Sequence, residues 1–333
     1  MQMPEFSTEE GKDVMKQLLA AIAGMTAALA CSMASAQYPN KPIRMIVPFP
    51  PGGAAELGAR IFAHPLGIGL GQPVIIETKP GAEGIIASEL VKQAAPDGYT
   101  LYYGTATGMS FAPAAKKVPP YDPVNDFTPI SLVGIFGFFV FSNAALPVNT
   151  IGELIAHARA NPGKLNYGTG NATSVLSTAQ FAAQHKLDMA HIPYKGDGPL
   201  SLDLIAGRVN MAIATPGTLA PQVKEGKLRA LATLLPSRNP LMPTVPTLAE
   251  AGLEPVSITP WGGLFGPAKL PREIVDRVTR EMAVVLAKPE VRDAFGKLAF
   301  EPRSSTPQEL SAFVVEQLEA YRRVTRQVGL TLD

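Results

Sequence analysis

The chain has 333 residues, with 29 Lys and Arg against 28 Asp and Glu, four histidines and one cysteine. A near-neutral charge without a basic stripe interleaved with aromatics excludes nucleic acid as an expected partner. The lone Cys31 excludes an internal disulfide framework and a sulfur-ligated metal site.

Lys16 precedes the apolar run Leu18 to Ala30, and Ala34-Ser35-Ala36 form an A-x-A cleavage signal before Gln37. Residues 15–36 therefore read as a secretory signal peptide cleaved after Ala36, inside a 1–36 leader whose acidic residues 1–14 precede a natural-looking start at Met15. The apolar run is shorter than the roughly 20 residues a membrane-spanning helix needs. Losing the leader removes two lysines and four acids, so 29 against 28 becomes 27 against 24, a charge of +3. An exported, soluble, monomeric protein is expected.

Beyond Gln37, residues 43–49 read as a strand, a Pro/Gly loop follows, and a helix begins near Glu56. Residues 74–77 and 100–103 are the next strands, separated by a Gly-rich loop and a helix containing Ala87, Leu90 and Val91. Short apolar strands alternating with helices predict a parallel sheet covered on both faces. The apolar run 130–141 reads as one buried strand. The pattern then restarts: Thr150 and Glu153 form a capping box, Ile151, Leu154 and Ile155 turn inward, and Asn161-Pro162-Gly163 stops the helix. Strands at 165–167, 189–193 and 209–214, with a helix around 200–205, make a second α/β lobe.

The C-terminal third reads as helical, first from Pro271 and finally from Thr306-Pro307-Gln308-Glu309, an N-cap, N1 proline and capping-box glutamate. Leu310, Phe313, Val314, Leu318, Tyr321 and Val324 form the apolar face of that last helix. These helices are expected to pack back on the first lobe, so the chain crosses between lobes twice, near Val133 and near Trp261. The predicted division is 37–133 plus 262–333 for the first lobe and 134–261 for the second. Two crossings make a hinge beside a cleft where a ligand binds.

His64, His157, His185 and His191 have no metal-binding spacing, and neither a G-x-S-x-G elbow nor a Walker or H-R-D loop is present. No cofactor, metal or catalytic apparatus is expected, and the protein reads as a non-enzyme. Two loops instead suit an anion. Residues 48–55 leave a strand and enter a helix, so Gly52 and Gly53 can turn backbone N–H groups toward a carboxylate, although a plain tight turn has the same composition. Residues 168–174 do likewise in the second lobe; as a dinucleotide fingerprint they fail, because Thr173 occupies the place of the third glycine. One helix terminus contributes about 0.3 to 1 kcal/mol toward an anion. Micromolar affinity needs about 8 kcal/mol, so both lobes must contribute.

These loops, with Tyr38-Pro39-Asn40-Lys41-Pro42-Ile43, Lys79-Pro80-Gly81-Ala82, Ala95-Pro96-Asp97-Gly98-Tyr99, Pro162-Gly163-Lys164-Leu165-Asn166-Tyr167, Pro193-Tyr194-Lys195-Gly196 and Val245-Pro246-Thr247, run in order along the mature chain. In them the sequence resembles the extracytoplasmic receptors of tripartite tricarboxylate transporters, also called Bordetella uptake gene proteins. The resemblance implies an α/β, two-lobed periplasmic binding protein fold of the type II kind, with two Rossmann-like lobes. It also implies periplasmic residence, capture of a small carboxylate (a dicarboxylate, tricarboxylate or aromatic acid) and delivery to a two-component inner-membrane permease. A ligand-sensing subunit of a signalling system, or an enzyme on the same fold, is the alternative.

Position by position, the resemblance implies first-lobe ligand contacts at Phe49, Pro51, Gly52, Gly53, Ala54, Ala55, Glu56, Gly81, Gly84 and Thr105. Second-lobe contacts would be Gly170, Asn171, Thr173, Ser174, Lys195, Gly196 and Thr215. Three positions depart from the family pattern. Glu56 stands where an aspartate is usual, Glu83-Gly84-Ile85 stand where Gly-Gly-Asn is common, and Ala214 replaces a frequent acid near the end of a second-lobe strand. With Ala214 there, a ligand ammonium would lack a partner, so a carboxylate without an amino group is expected.

Overall fold

The computed structural model describes residues 38–217 and 219–331. The expected leader and signal peptide, 1–36, lie outside the described residues. Of two compact units, Met1–Asn40 contributes only residues 38–40 to the described part, and Lys41–Asp333 holds all the described strands and helices.

The chain runs through β1 (Ile43–Val47), α1 (Ala54–Leu70), β2 (Val74–Thr78), α2 (Ile85–Lys92), β3 (Thr100–Thr105), α3 (Ala112–Ala115) and β4 (Phe127–Phe136). It continues with β5 (Phe139–Asn143), α4 (Ile151–Ala160), β6 (Leu165–Thr169), α5 (Ala172–His185), β7 (Met189–Pro193), α6 (Asp197–Ile205), β8 (Met211–Ala214), α7 (Ala220–Lys224) and β9 (Leu228–Thr233). It returns through β10 (Trp261–Pro267), α8 (Arg272–Ala287), α9 (Pro289–Gly296), β11 (Phe300–Pro302) and α10 (Pro307–Gln327).

Two sheets result, ordered β11-β4-β10-β3-β1-β2 and β7-β6-β8-β5-β9. Both contain the same arrangement. Three neighbouring strands are parallel (β2-β1-β3 and β7-β6-β8), and the strand supplied by a crossing (β10 or β5) runs antiparallel between the third of them and a further strand, β4 or β9; the first sheet adds β11 at its edge, antiparallel to β4. The sheets are therefore mixed rather than purely parallel: the strand from the crossing runs against its neighbours in each, and β11 runs against β4 in the first.

Two further expectations change. The apolar run 130–141 is two strands in different sheets, β4 and β5, broken at Gly137, whose N–H donates to the Ala299 carbonyl at 2.7 Å. A Cβ at Gly137 would stand 2.7 Å from that same oxygen, so the crossing needs the glycine. The C-terminal third is not helical throughout. Trp261-Gly262-Gly263-Leu264-Phe265-Gly266-Pro267 forms β10, inside the six-stranded sheet and paired on both sides. Its glycines hid the strand signal, yet a Cβ at Gly262 would stand 2.5 Å from the Tyr103 hydroxyl oxygen across the sheet. Pairing of Trp261 with Ile135 carries β4 and β10 to the crossing.

Helix boundaries follow their caps. Thr306 Oγ1 accepts from Glu309 N at 3.2 Å and Glu309 Oε2 accepts from Thr306 N at 2.8 Å, the expected reciprocal box. At α4 only half of that box forms: Thr150 Oγ1 accepts from Glu153 N, but Glu153 Oε2 accepts from Asn149 N instead. Leu310, Val314, Leu318, Tyr321 and Val324 of α10 are buried. Phe313 meets the Trp261 ring edge-on at 5.5 Å. Helix α10 packs on β4 of the first sheet and also on α5 of the second lobe.

Candidate ligand-binding site

In parallel α/β sheets, loops at the carboxyl ends of the strands form the binding crevice. All the residues expected at the site occupy such ends. Phe49 to Glu56 follow β1, Gly81 and Gly84 follow β2, and Thr105 ends β3. Gly170, Asn171, Thr173 and Ser174 follow β6, Lys195 and Gly196 follow β7, and Thr215 follows β8. The strand orders β2-β1-β3 and β7-β6-β8 make each set contiguous.

In the first lobe α1 begins at Ala54 with Gly53 as N-cap in an extended conformation and no side-chain cap. Its first-turn amides thus have no acceptor from a capping side chain, the arrangement that receives an anion. Gly52, at φ 83°, donates its N–H to Glu56 Oε2 at 3.0 Å, and the other Glu56 oxygen pairs with Arg60. The longer acid at this position is thus turned back onto its own loop and is buried there. At the end of the neighbouring strand β3, Thr105 is buried and its hydroxyl has no hydrogen-bond partner.

The loop before α2 has four consecutive positive φ angles: Gly81 at 127°, Ala82 at 46°, Glu83 at 53° and Gly84 at 85°. For the two non-glycine residues this left-handed backbone is strained, and strain of that kind clusters at ligand clamps. Gly84 rests against Gly108, where a Cβ would stand 3.3 Å from the Gly108 Cα. Gly108 belongs to a π-helical turn, Thr107–Phe111, whose backbone is held by Tyr121 Oη donating to the Gly108 carbonyl at 2.5 Å. That turn, which follows β3, packs on α5, the helix that follows β6.

In the second lobe, Asn171 Oδ1 accepts from Ser174 N at 2.9 Å, and Ser174 Oγ accepts from Asn171 N at 3.4 Å. Both side chains are thus engaged in capping α5. Thr173 is buried, and its Oγ1 lies 3.3 Å from Tyr321 Oη of α10. Lys195 is exposed, and no ion pair of it occurs among the described residues. Gly170 is pressed against the start of α6: a Cβ there would lie 2.8 Å from both the Gly196 carbonyl carbon and the Asp197 nitrogen.

Two neighbours escaped sequence reasoning. Tyr321 reads as part of an apolar helix face, and nothing in its spacing marks the hydroxyl as an inter-lobe donor. Asp197, directly after Lys195-Gly196, was visible as an acid in a candidate loop. Thr215 Oγ1 donates to its Oδ2 at 2.6 Å, while Oδ1 is sealed from solvent without a partner. Burial pushes its carboxyl above the usual range, against the opposing hydrogen bonds from Thr215. Away from these loops, His191 stacks on Tyr167 at 5.0 Å and shares a 2.7 Å hydrogen bond with Thr169 Oγ1, and burial lowers its pKa. Among the described residues no group of three or more His, Cys, Asp or Glu could hold a metal ion, and no helix is long and apolar enough to cross a membrane.

A strand order repeated in both sheets, with the chain crossing twice between them, is the architecture of the two-lobed binding proteins that hold a solute between lobes. The chain belongs to one family of these: the family described as "Tripartite tricarboxylate transporter family receptor" matches residues 59–330. It is 32% identical over 327 residues to Protein BugT of Bordetella pertussis, across 96% of this chain and 99% of that protein. Among solved structures it is similar to a periplasmic transporter at 33% identity and a TM-score of 0.80, covering 89% of this chain and 100% of that one. A Rhodopseudomonas palustris protein with adipate is similar at 29% identity and a TM-score of 0.80, over 88% of this chain and 99% of its own. MatC from Rhodopseudomonas palustris with bound malate is similar at 28% identity and a TM-score of 0.74, over 86% and 99%. Relatives of this kind are solute-binding receptors rather than enzymes.

Proposed function

We propose that the protein is a monomeric periplasmic receptor that captures a small carboxylate between its lobes, which divide after β4 at Gly137 and before β10 at Trp261 rather than at 133 and 261, and delivers it to a two-component inner-membrane permease. The observation that carries this reading is the start of α1, where first-turn amides have no side-chain cap after β1, with the buried, unpartnered Thr105 hydroxyl at the end of the neighbouring strand β3. Both are hydrogen-bond donors, and a carboxylate supplies acceptors. The adipate and malate held by the related structures support the ligand class. The contacts proposed are the first-lobe ends of β1, β2 and β3 and the second-lobe backbone at Gly170, Thr173 and Gly196, with Thr215.

The test is thermal unfolding of residues 37–333 against dicarboxylates, tricarboxylates, aromatic acids and amino acids. A ligand at 100 times its dissociation constant stabilises by about 2.7 kcal/mol. A shift with one acid class, with the acid recovered unchanged, is expected; no shift with any acid, or conversion of one, overturns the reading.

A further inference from the structure

The ends of β6, β7 and β8 enclose a carboxyl group that lacks a counter-charge. Asp197 opens α6 after Gly196, whose φ of 103° swings the chain round so that the carboxyl turns toward the neighbouring strand ends. There Thr215 fixes one oxygen, with its hydroxyl on Oδ2 at 2.6 Å and its backbone also bonded to the group. The other oxygen, Oδ1, lies against Gly170, is closed to solvent and has no donor. No basic side chain acts on the carboxyl among the described residues. A buried charge is normally paired, and here the protein provides no partner.

We propose that Asp197 is the second-lobe contact for a cationic nitrogen of the ligand, so that the solute is a zwitterion with its carboxylate at the start of α1 and its ammonium on Asp197 Oδ1. This rests on the receptor reading and narrows it. Three observations agree with it. The acid lies among the strand ends where the second-lobe contacts were expected, and Gly170, without a side chain, leaves Oδ1 its place. Thr215 holds Oδ2, which leaves Oδ1 as the oxygen in need of a donor. Burial raises the pKa of the group, as expected for an acid whose counter-charge arrives with the ligand. The expectation of a ligand without an amino group rested on Ala214, and Asp197 supplies from the adjoining helix the acid that β8 lacks.

Calorimetry on residues 37–333 with matched pairs tests this: succinate and aspartate, glutarate and glutamate, propionate and β-alanine, butyrate and 4-aminobutyrate. In at least one pair the amino acid should bind at least about tenfold tighter, a difference of about 1.4 kcal/mol. D197N, near-isosteric and neutral, should abolish that preference. If unsubstituted acids bind as tightly as or more tightly than their amino partners throughout, or if D197N keeps the preference, the zwitterion inference fails and the receptor reading stands. If no acid of either kind binds, both fail.

Discussion

Tyr321 Oη on α10, a helix packed on the first sheet, lies 3.3 Å from Thr173 Oγ1 at the start of α5 and 3.2 Å from the Thr259 carbonyl on the return crossing. One phenol thus ties the second-lobe site to the last helix of the chain. Its ring is fully buried, and burial raises the pKa of the hydroxyl, so it serves as a neutral donor.

Tyr321→Phe keeps the ring and removes the donor. It should lower stability by about 1 kcal/mol, the net worth of a typical hydrogen bond. Urea denaturation reads this directly, and an unchanged midpoint would mean that the contact contributes nothing.

Glu83 sits at φ 53° inside the left-handed loop before α2. That conformation costs an L residue about 1 to 2 kcal/mol, whereas a glycine costs about 0.5 to 1 kcal/mol in chain entropy. Glu83→Gly should therefore stabilise the protein by about 0.5 to 1 kcal/mol. A drop in melting temperature would show that the glutamate makes a compensating interaction.

Gly170→Ala places a methyl group against the backbone of Gly196 and Asp197 and against the Asp197 carboxyl. Backbone cannot swing aside as a flexible side chain does, so overpacking of about 1 to 3 kcal/mol is expected. Ligand affinity should fall with it, because the start of α6 must shift. A variant with wild-type stability and binding would refute the close approach.

Asp197 also predicts a pH dependence for the ligand-free protein. Its folded pKa is raised above the unfolded value of about 3.9. The native state therefore holds the proton more tightly, and the associated stability is complete below that value and lost as pH rises through the folded pKa. Across that window the stability of D197N relative to wild type should increase with pH. Denaturation midpoints measured as a pH series should diverge in that direction; parallel curves would show that the group titrates normally.

Much of this molecule was legible in local chemistry. The positions of β1, β2, β3, β6, β7 and β8, the α10 capping box at Thr306 and Glu309, and the glycine turns near Gly52 and Gly170 follow from periodicity and from residues with narrow conformational preferences, whereas β9 and β11 are not read as strands from the sequence. The division of the 130–141 run was not, because apolarity looks alike on either side of Gly137; only the Ala299 carbonyl against that glycine marks the break. Nor was β10, whose glycines carry no strand propensity and earn their place from the Tyr103 ring across the sheet.

The candidate site divides the same way. That glycine-rich loops end the strands and enter helices is written in the order of the residues, since backbone N–H groups at a helix start need no distant partner to bind an anion. Which side chains remain free for a ligand is a matter of three-dimensional pairing. Glu56 turns to Gly52 and Arg60, and Asn171 and Ser174 cap each other, while Thr105 and one oxygen of Asp197 are buried without partners. Hydrogen bonds are satisfied over ångström distances in space, whatever the separation along the chain, so the donors and acceptors left over appear only once the lobes are folded.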